Sequence, residues 1–154
     1  MELKKIPSQF TRIHAYCTPE APDDPSYYWG KRLDGRGMYF RLDDNDQIIA
    51  GRGCNALLYR LPELLSSQSD ILKWCEGQKD ADTLMRRGEL ATSFQGLSLS
   101  DRQLVEQIRL VAKNRANVVI PDNDEPGHRQ AERFSQFLST LMLEPDQYME
   151  VNHE

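Results

Sequence analysis

The residues best equipped for chemistry are carboxylates at the ends of two apolar runs. Glu76 directly follows ILKWC, residues 71–75, and Asp122 and Asp124 follow ANVVI, residues 116–120, within PDNDEPG. If both runs are strands of a parallel sheet, their carboxyl ends share one edge, where functional groups collect in such sheets. Three carboxylates on one edge repel each other. A divalent cation offsets that repulsion, and hard oxygen ligands suit Mg²⁺ or Mn²⁺. The Asp-x-Asp spacing lets both side chains reach one ion from a tight loop, with Glu125 close enough to contribute. Each acid also has an ordinary reading. Asp124 can cap the helix that follows, Asp and Asn are common after strands, and Glu76 can be a solvated strand end.

The elements that must position these acids are legible from residue 57 onward. Pro62 in LPELL, residues 61–65, sits where a helix begins. Ile71–Cys75 reads as a buried strand ending at Glu76-Gly77. Residues 80–87 form a helix with Ala81, Leu84 and Met85 on one face and Gly88 as its stop. Leu90–Ser93 reads as a second strand. Ser100 and Gln103 form a capping box, with Leu99 and Leu104 as its hydrophobic staple, and Leu104, Ile108 and Val111 continue the stripe. Ala116–Ile120 is a β-branched strand closed by Pro121. A last helix starts near Pro126, with Ala131, Phe134, Leu138 and Leu141 on one face. Strands alternating with helices predict an α/β domain with a mainly parallel sheet.

Residues 1–56 differ in character. They carry eight basic and eight acidic residues, whereas residues 57–154 carry eleven and sixteen. TPEAPDDP, residues 18–25, reads as an irregular loop. Tyr27–Lys31, Gly37–Leu42 and Ile48–Ala50, separated by turn residues, predict a small antiparallel meander. The division expected is a β-rich extension over 1–56 and a catalytic-type domain over 57–154.

The chain of 154 residues is one domain's worth, with room for an appendage, and is 39% hydrophobic and 28% charged, a globular composition. No apolar run is long enough to span a bilayer, and the start has no apolar signal segment. A net charge of −5 argues against a general phosphate-coating protein. Cys17, Cys54 and Cys75 are far apart and form no zinc-type pair. Their odd number and the missing signal predict a reducing cytoplasm, with each thiol a small buried hydrophobe. His14, His128 and His153 give no basis for a nucleophilic triad.

WCEGQKDADTL, residues 74–84, followed by NVVIPDNDEPGHRQAE, residues 117–132, resembles a Toprim domain, the catalytic domain of bacterial-type primases, type IA and type II topoisomerases and some nucleases. The likeness is greatest to the Toprim region of phage and plasmid primases and primase–helicases. There a run such as LYRLPELL, here residues 58–65, precedes the two motifs. It covers roughly residues 57–142, and more loosely 27–56. It implies a Toprim-like, Rossmann-like sheet flanked by helices. It also implies Glu76 as general acid or base, Asp122 and Asp124 as Mg²⁺ ligands with Glu76 beside them, and Gly77 and Gly127 as turn glycines. Phosphoryl transfer fits those roles, because it needs charge neutralised on the phosphate and a proton moved at a 3′-hydroxyl or at water. Lys79 and Arg129 are then candidates for phosphate contact, as are Arg86, Arg87, Lys113, Arg115 and Arg133. Each is otherwise an ordinary surface charge.

The resemblance implies Mg²⁺-dependent nucleotidyl transfer in DNA replication, with primer synthesis on a single-stranded DNA template favoured. A Toprim nuclease is the rival enzyme, and a non-catalytic nucleic-acid or replisome-binding module is the rival of another class. The sequence departs from primases in having no zinc-binding ligand set and no Walker loop. Gln78 stands where many relatives have Glu. The expectation is therefore dependence on a helicase or another replication protein. The aromatic stretch of Tyr27, Tyr28, Trp29, Tyr39 and Phe40 is a candidate surface for that partner or, alternatively, a small core.

Overall fold

A computed structural model describes residues 6–153, with side-chain environments for residues 6–142. The chain divides into two compact units, Met1–Leu65 and Ser66–Glu154. It is mixed α/β, with an antiparallel sheet in the first unit and a small parallel sheet in the second. Among the described residues no helix is long and apolar enough to cross a membrane.

The first unit is a four-stranded meander, β1 (Phe10–Tyr16), β2 (Tyr27–Arg32), β3 (Gly37–Leu42) and β4 (Ile48–Ala50), paired in sequence order. The three strands expected from turn spacing are present, and β1 is added to them. Side chains alternate between faces in a strand, so the aromatic stretch is split rather than presented as one flat surface. Tyr28 and Phe40 turn to one face, where Phe40 stacks on both Tyr28 and Phe10, all three buried. Tyr27 turns to the other, where it stacks on Tyr16. Tyr27, Tyr28 and Phe40 are core residues, at 1%, 8% and 0% exposure. Helix α1 (Leu61–Ser66) buries Leu61 and Leu64.

The second unit holds β5 (Ile71–Cys75), α2 (Gln78–Arg86), β6 (Ala91–Ser93), α3 (Arg102–Ala112), β7 (Ala116–Ile120) and α4 (Glu125–His153). The strands are parallel in the order β6-β5-β7, with Cys75 level with both Ser93 and Ile120. Trp74, fully buried, is tilted against Phe134 of α4, and Phe134 stacks on Phe94. The Trp74 indole N–H donates to Asn117 Oδ1, and the Asn117 amide donates to the Ala112 carbonyl, tying α3 to the sheet. The apolar stripes expected on α3 and α4 are the buried ones.

Three expectations are corrected. The cap of α3 is Asp101, whose side chain accepts from the Gln103 and Leu104 N–H groups, while Ser100 pairs with Ser98. Asp ranks with Ser as a cap, and its carboxylate also suits the positive end of the helix. Arg115 is a structural clamp rather than a free phosphate ligand, because its guanidinium donates to the carbonyls of Ser67, Ser69 and Val111. Cys54 is exposed, unlike Cys17 and Cys75, and all three thiols are free.

Candidate functional site

Glu76 leaves β5 and Asp122 leaves β7 at the same edge, because the two strands are parallel neighbours in register. The arrangement starts with hydrogen bonds that fix the loops. The Phe94 N–H donates to the Cys75 carbonyl at 2.8 Å, and the Ser93 hydroxyl donates to the Glu76 carbonyl at 2.8 Å. The end of β6 thus holds the backbone of Glu76. Gly77 then serves as the extended N-cap residue of α2. On the other strand, the Asp122 N–H donates to Glu76 Oε2 at 3.2 Å. Asp124 follows in the same turn, its N–H donating to the Asp122 carbonyl at 2.8 Å.

Gly127 marks the centre of the cluster. A Cβ there would lie 2.7 Å from Asp124 Oδ1, 2.8 Å from Glu76 Oε2 and 3.0 Å from Asp122 Cβ. All three candidate acids therefore border the space left by one absent methyl group. The Gly127 N–H donates to Asp124 Oδ1 at 2.6 Å. Asp124 is thus the cap of α4, as its ordinary reading holds, as well as a member of the cluster. Gly127 lies in the first turn of the helix rather than in a turn between elements.

The acids are electrostatically linked. Burial raises the Glu76 pKa, the Asp122 N–H partly opposes this, and the Asp122 and Asp124 carboxylates raise it further. Beneath them, Cys75 is buried and its thiol is pushed up to about 12, mainly by desolvation, so it is held neutral. The donor set of carboxylate oxygens suits a hard divalent cation. Among the described residues, however, no three His, Cys, Asp or Glu side chains are already gathered as a metal-holding group. Asp124 accepts from the Gly127 N–H through Oδ1, and its carboxylate has a second oxygen that this bond does not use.

Not every candidate joins this cluster. Lys79 is exposed in the first turn of α2, Arg129 is exposed on α4, and Glu125 is exposed beside the acids in the first turn of α4. Among the described residues neither cation pairs with an acid of the site. Gln78, which the sequence marks only as a departure from the family pattern, is buried at 2% exposure next to the Glu76–Gly77 turn. Ser93 carries no such mark, and its place at the end of a short strand is its only signal in the sequence.

Comparison of the chain with protein-family models, with characterised proteins and with solved structures gives no match.

Proposed function

We propose that the second unit is a Toprim-like catalytic domain of primase type, carrying out Mg²⁺-dependent nucleotidyl transfer on a single-stranded nucleic acid in DNA replication. The observation that carries this reading is the meeting of Glu76, Asp122 and Asp124 around Gly127 at the carboxyl edge of a parallel sheet. The motif likeness of residues 74–84 and 117–132 supplies the reaction class. Asp122 and Asp124, with Glu76 beside them, would hold Mg²⁺ or Mn²⁺. The ion's contribution when bound is to neutralise charge on the transferring phosphate.

The protein's own residues do the rest. The 3′-hydroxyl of the growing strand attacks the α-phosphorus of a nucleoside triphosphate. The new P–O bond forms as the bond to pyrophosphate breaks, and the hydroxyl proton passes to the Glu76 carboxylate. The raised pKa of Glu76 makes its carboxylate a stronger base than an ordinary surface glutamate. The Asp122 N–H keeps Oε2 oriented during that transfer. Ser93 and Phe94 fix the backbone on which Glu76 is mounted. Lys79 and Arg129 lie near the start of the two helices that leave this edge and would meet the nucleic-acid backbone.

The test is incubation of the purified chain with labelled single-stranded DNA and Mg²⁺, with and without nucleoside triphosphates. Extended products that require triphosphates support transfer. Shortened products would replace it with a nuclease using water as nucleophile, and unchanged DNA would leave a binding module working with a helicase or another replication protein.

A further inference from the structure

We infer that the Trp29 face of the first unit's sheet binds single-stranded nucleic acid by stacking, in a site distinct from the carboxylate cluster. Cross-strand register defines this face. Arg12, Lys31 and Gly37 share one row, and His14, Trp29 and Tyr39 share the next. Directly opposed residues in an antiparallel pair point to the same side. Part of this face is core, where Tyr16 and Tyr27 are buried. His14 is buried with them, and Trp29 and Tyr39, register partners on adjacent strands, carry the half-buried rings of this face.

Trp29 is laid flat by its neighbour. A Cβ at Gly37 would collide with the indole, so glycine at this position lets the ring lie down over the strand. Arg12 is held 6.0 Å from the Trp29 ring centre. Arg52 lies 4.4 Å from the centre of Tyr39 and 6.0 Å from that of Tyr27, so its guanidinium is carried on an aromatic base. Both arginines keep a buried Nε with no hydrogen-bond partner, and neither joins an ion pair among the described residues. Lys31 adds a third cation in the Arg12 row. The carboxylate of the adjoining hairpin, Asp34, is turned onto the Arg36 N–H.

Flat rings and guanidinium planes interleaved with unpaired cations match the chemistry of a single strand. Bases stack on the planes, and phosphates meet the charges. A protein partner of acidic character would satisfy the cations but leave the stacking planes unused. Duplex hides its base faces, so it is excluded from the planes. The proposal extends the nucleic-acid reading above to a second unit, and it needs no metal.

The experiment uses the full chain in EDTA, which separates it from the metal chemistry. Trp29 and Trp74 are its only tryptophans, and Trp74 is fully buried in the other unit. Short oligothymidine and oligouridine should quench Trp29 emission, with a shallow salt slope of about −2 for three phosphate contacts. Removing the indole in Trp29→Leu should weaken binding, read by anisotropy of a labelled strand, by roughly five- to a hundred-fold. Arg52→Lys keeps the charge but loses the plane, and should also weaken binding. Arg12→Gln with Lys31→Gln keeps both aromatic rings while removing two charges, and should reduce the salt slope. A circular-dichroism spectrum checks each fold. The proposal is overturned by absent quenching, by binding unchanged in Arg52→Lys and in Arg12→Gln/Lys31→Gln, by preference for duplex, or by equal displacement with base-free polyphosphate.

Discussion

The backbone N–H of Asp122 donates to Oε2 of Glu76 at 3.2 Å, joining residues 46 positions apart in sequence. This bond links the two motifs on which the functional reading rests. It also puts the Glu76 carboxylate beside two like charges, and that conflict has measurable consequences.

Glu76→Gln should lose turnover while gaining stability at neutral pH. The folded-state pKa of Glu76 is raised, so the folded protein prefers the protonated form. That group's contribution to stability is full below the unfolded pKa, ordinarily about 4.3, and is lost as pH rises through the folded value. Glutamine removes the charge yet still accepts from the Asp122 N–H. Urea denaturation should show the variant more stable than the parent at pH 7, with the difference shrinking at acid pH. Turnover should fall by about a hundred- to ten-thousand-fold. An activity equal to the parent's would remove Glu76 from the mechanism.

Gly127→Ala tests the crowding. In an ordinary helix this change stabilises by roughly 1 kcal/mol. Here the new methyl group would press on oxygens of Glu76 and Asp124 at under 3 Å. Both oxygens end flexible side chains that can turn aside, so the expected outcome is a gain smaller than that ordinary helical increment, because the methyl group displaces the Asp124 and Glu76 carboxylates. A full gain of roughly 1 kcal/mol, as at an open helical glycine, would contradict the crowding.

Much of the second unit was legible because its patterns are local. ILKWC and ANVVI are short apolar runs with sharp ends, and the stripes of α3 and α4 repeat at helical spacing. The acids were found because they sit at those strand ends. The first unit was harder. FTRIHAY mixes charged, polar and aromatic residues, and β1 gains its place only by pairing with β2. The division of the aromatic residues between core and surface follows from register, which a single strand does not display. The space at Gly127 and the Ser93 bond to the Glu76 carbonyl depend on residues distant in sequence, so neither left a local signal.

The α3 cap gives a direct comparison of sequence pattern with structure. Asp101→Ala should cost about 1 kcal/mol, whereas Ser100→Ala should be close to neutral. Thermal unfolding of the two variants decides it, and a larger loss for Ser100→Ala would restore the capping box.

Thiol chemistry should separate the three cysteines. Cys54 is exposed, while burial raises the pKa of both Cys17 and Cys75. Reactivity follows thiolate fraction and access. An aromatic disulfide reagent should therefore titrate one thiol rapidly in the native chain and all three in denaturant. Fast reaction of a second thiol would show that Cys17 or Cys75 is more open than its packing indicates.

The measurement closest to the central claim is the thermal shift produced by Mn²⁺ in the parent and in Asp122→Asn/Asp124→Asn. Cation binding to the native state alone raises stability by mass action. If these acids share an ion with Glu76, Mn²⁺ should raise the parent's melting temperature and leave the double variant unmoved. Equal shifts in the two proteins, or no shift in the parent at saturating Mn²⁺, would contradict the site.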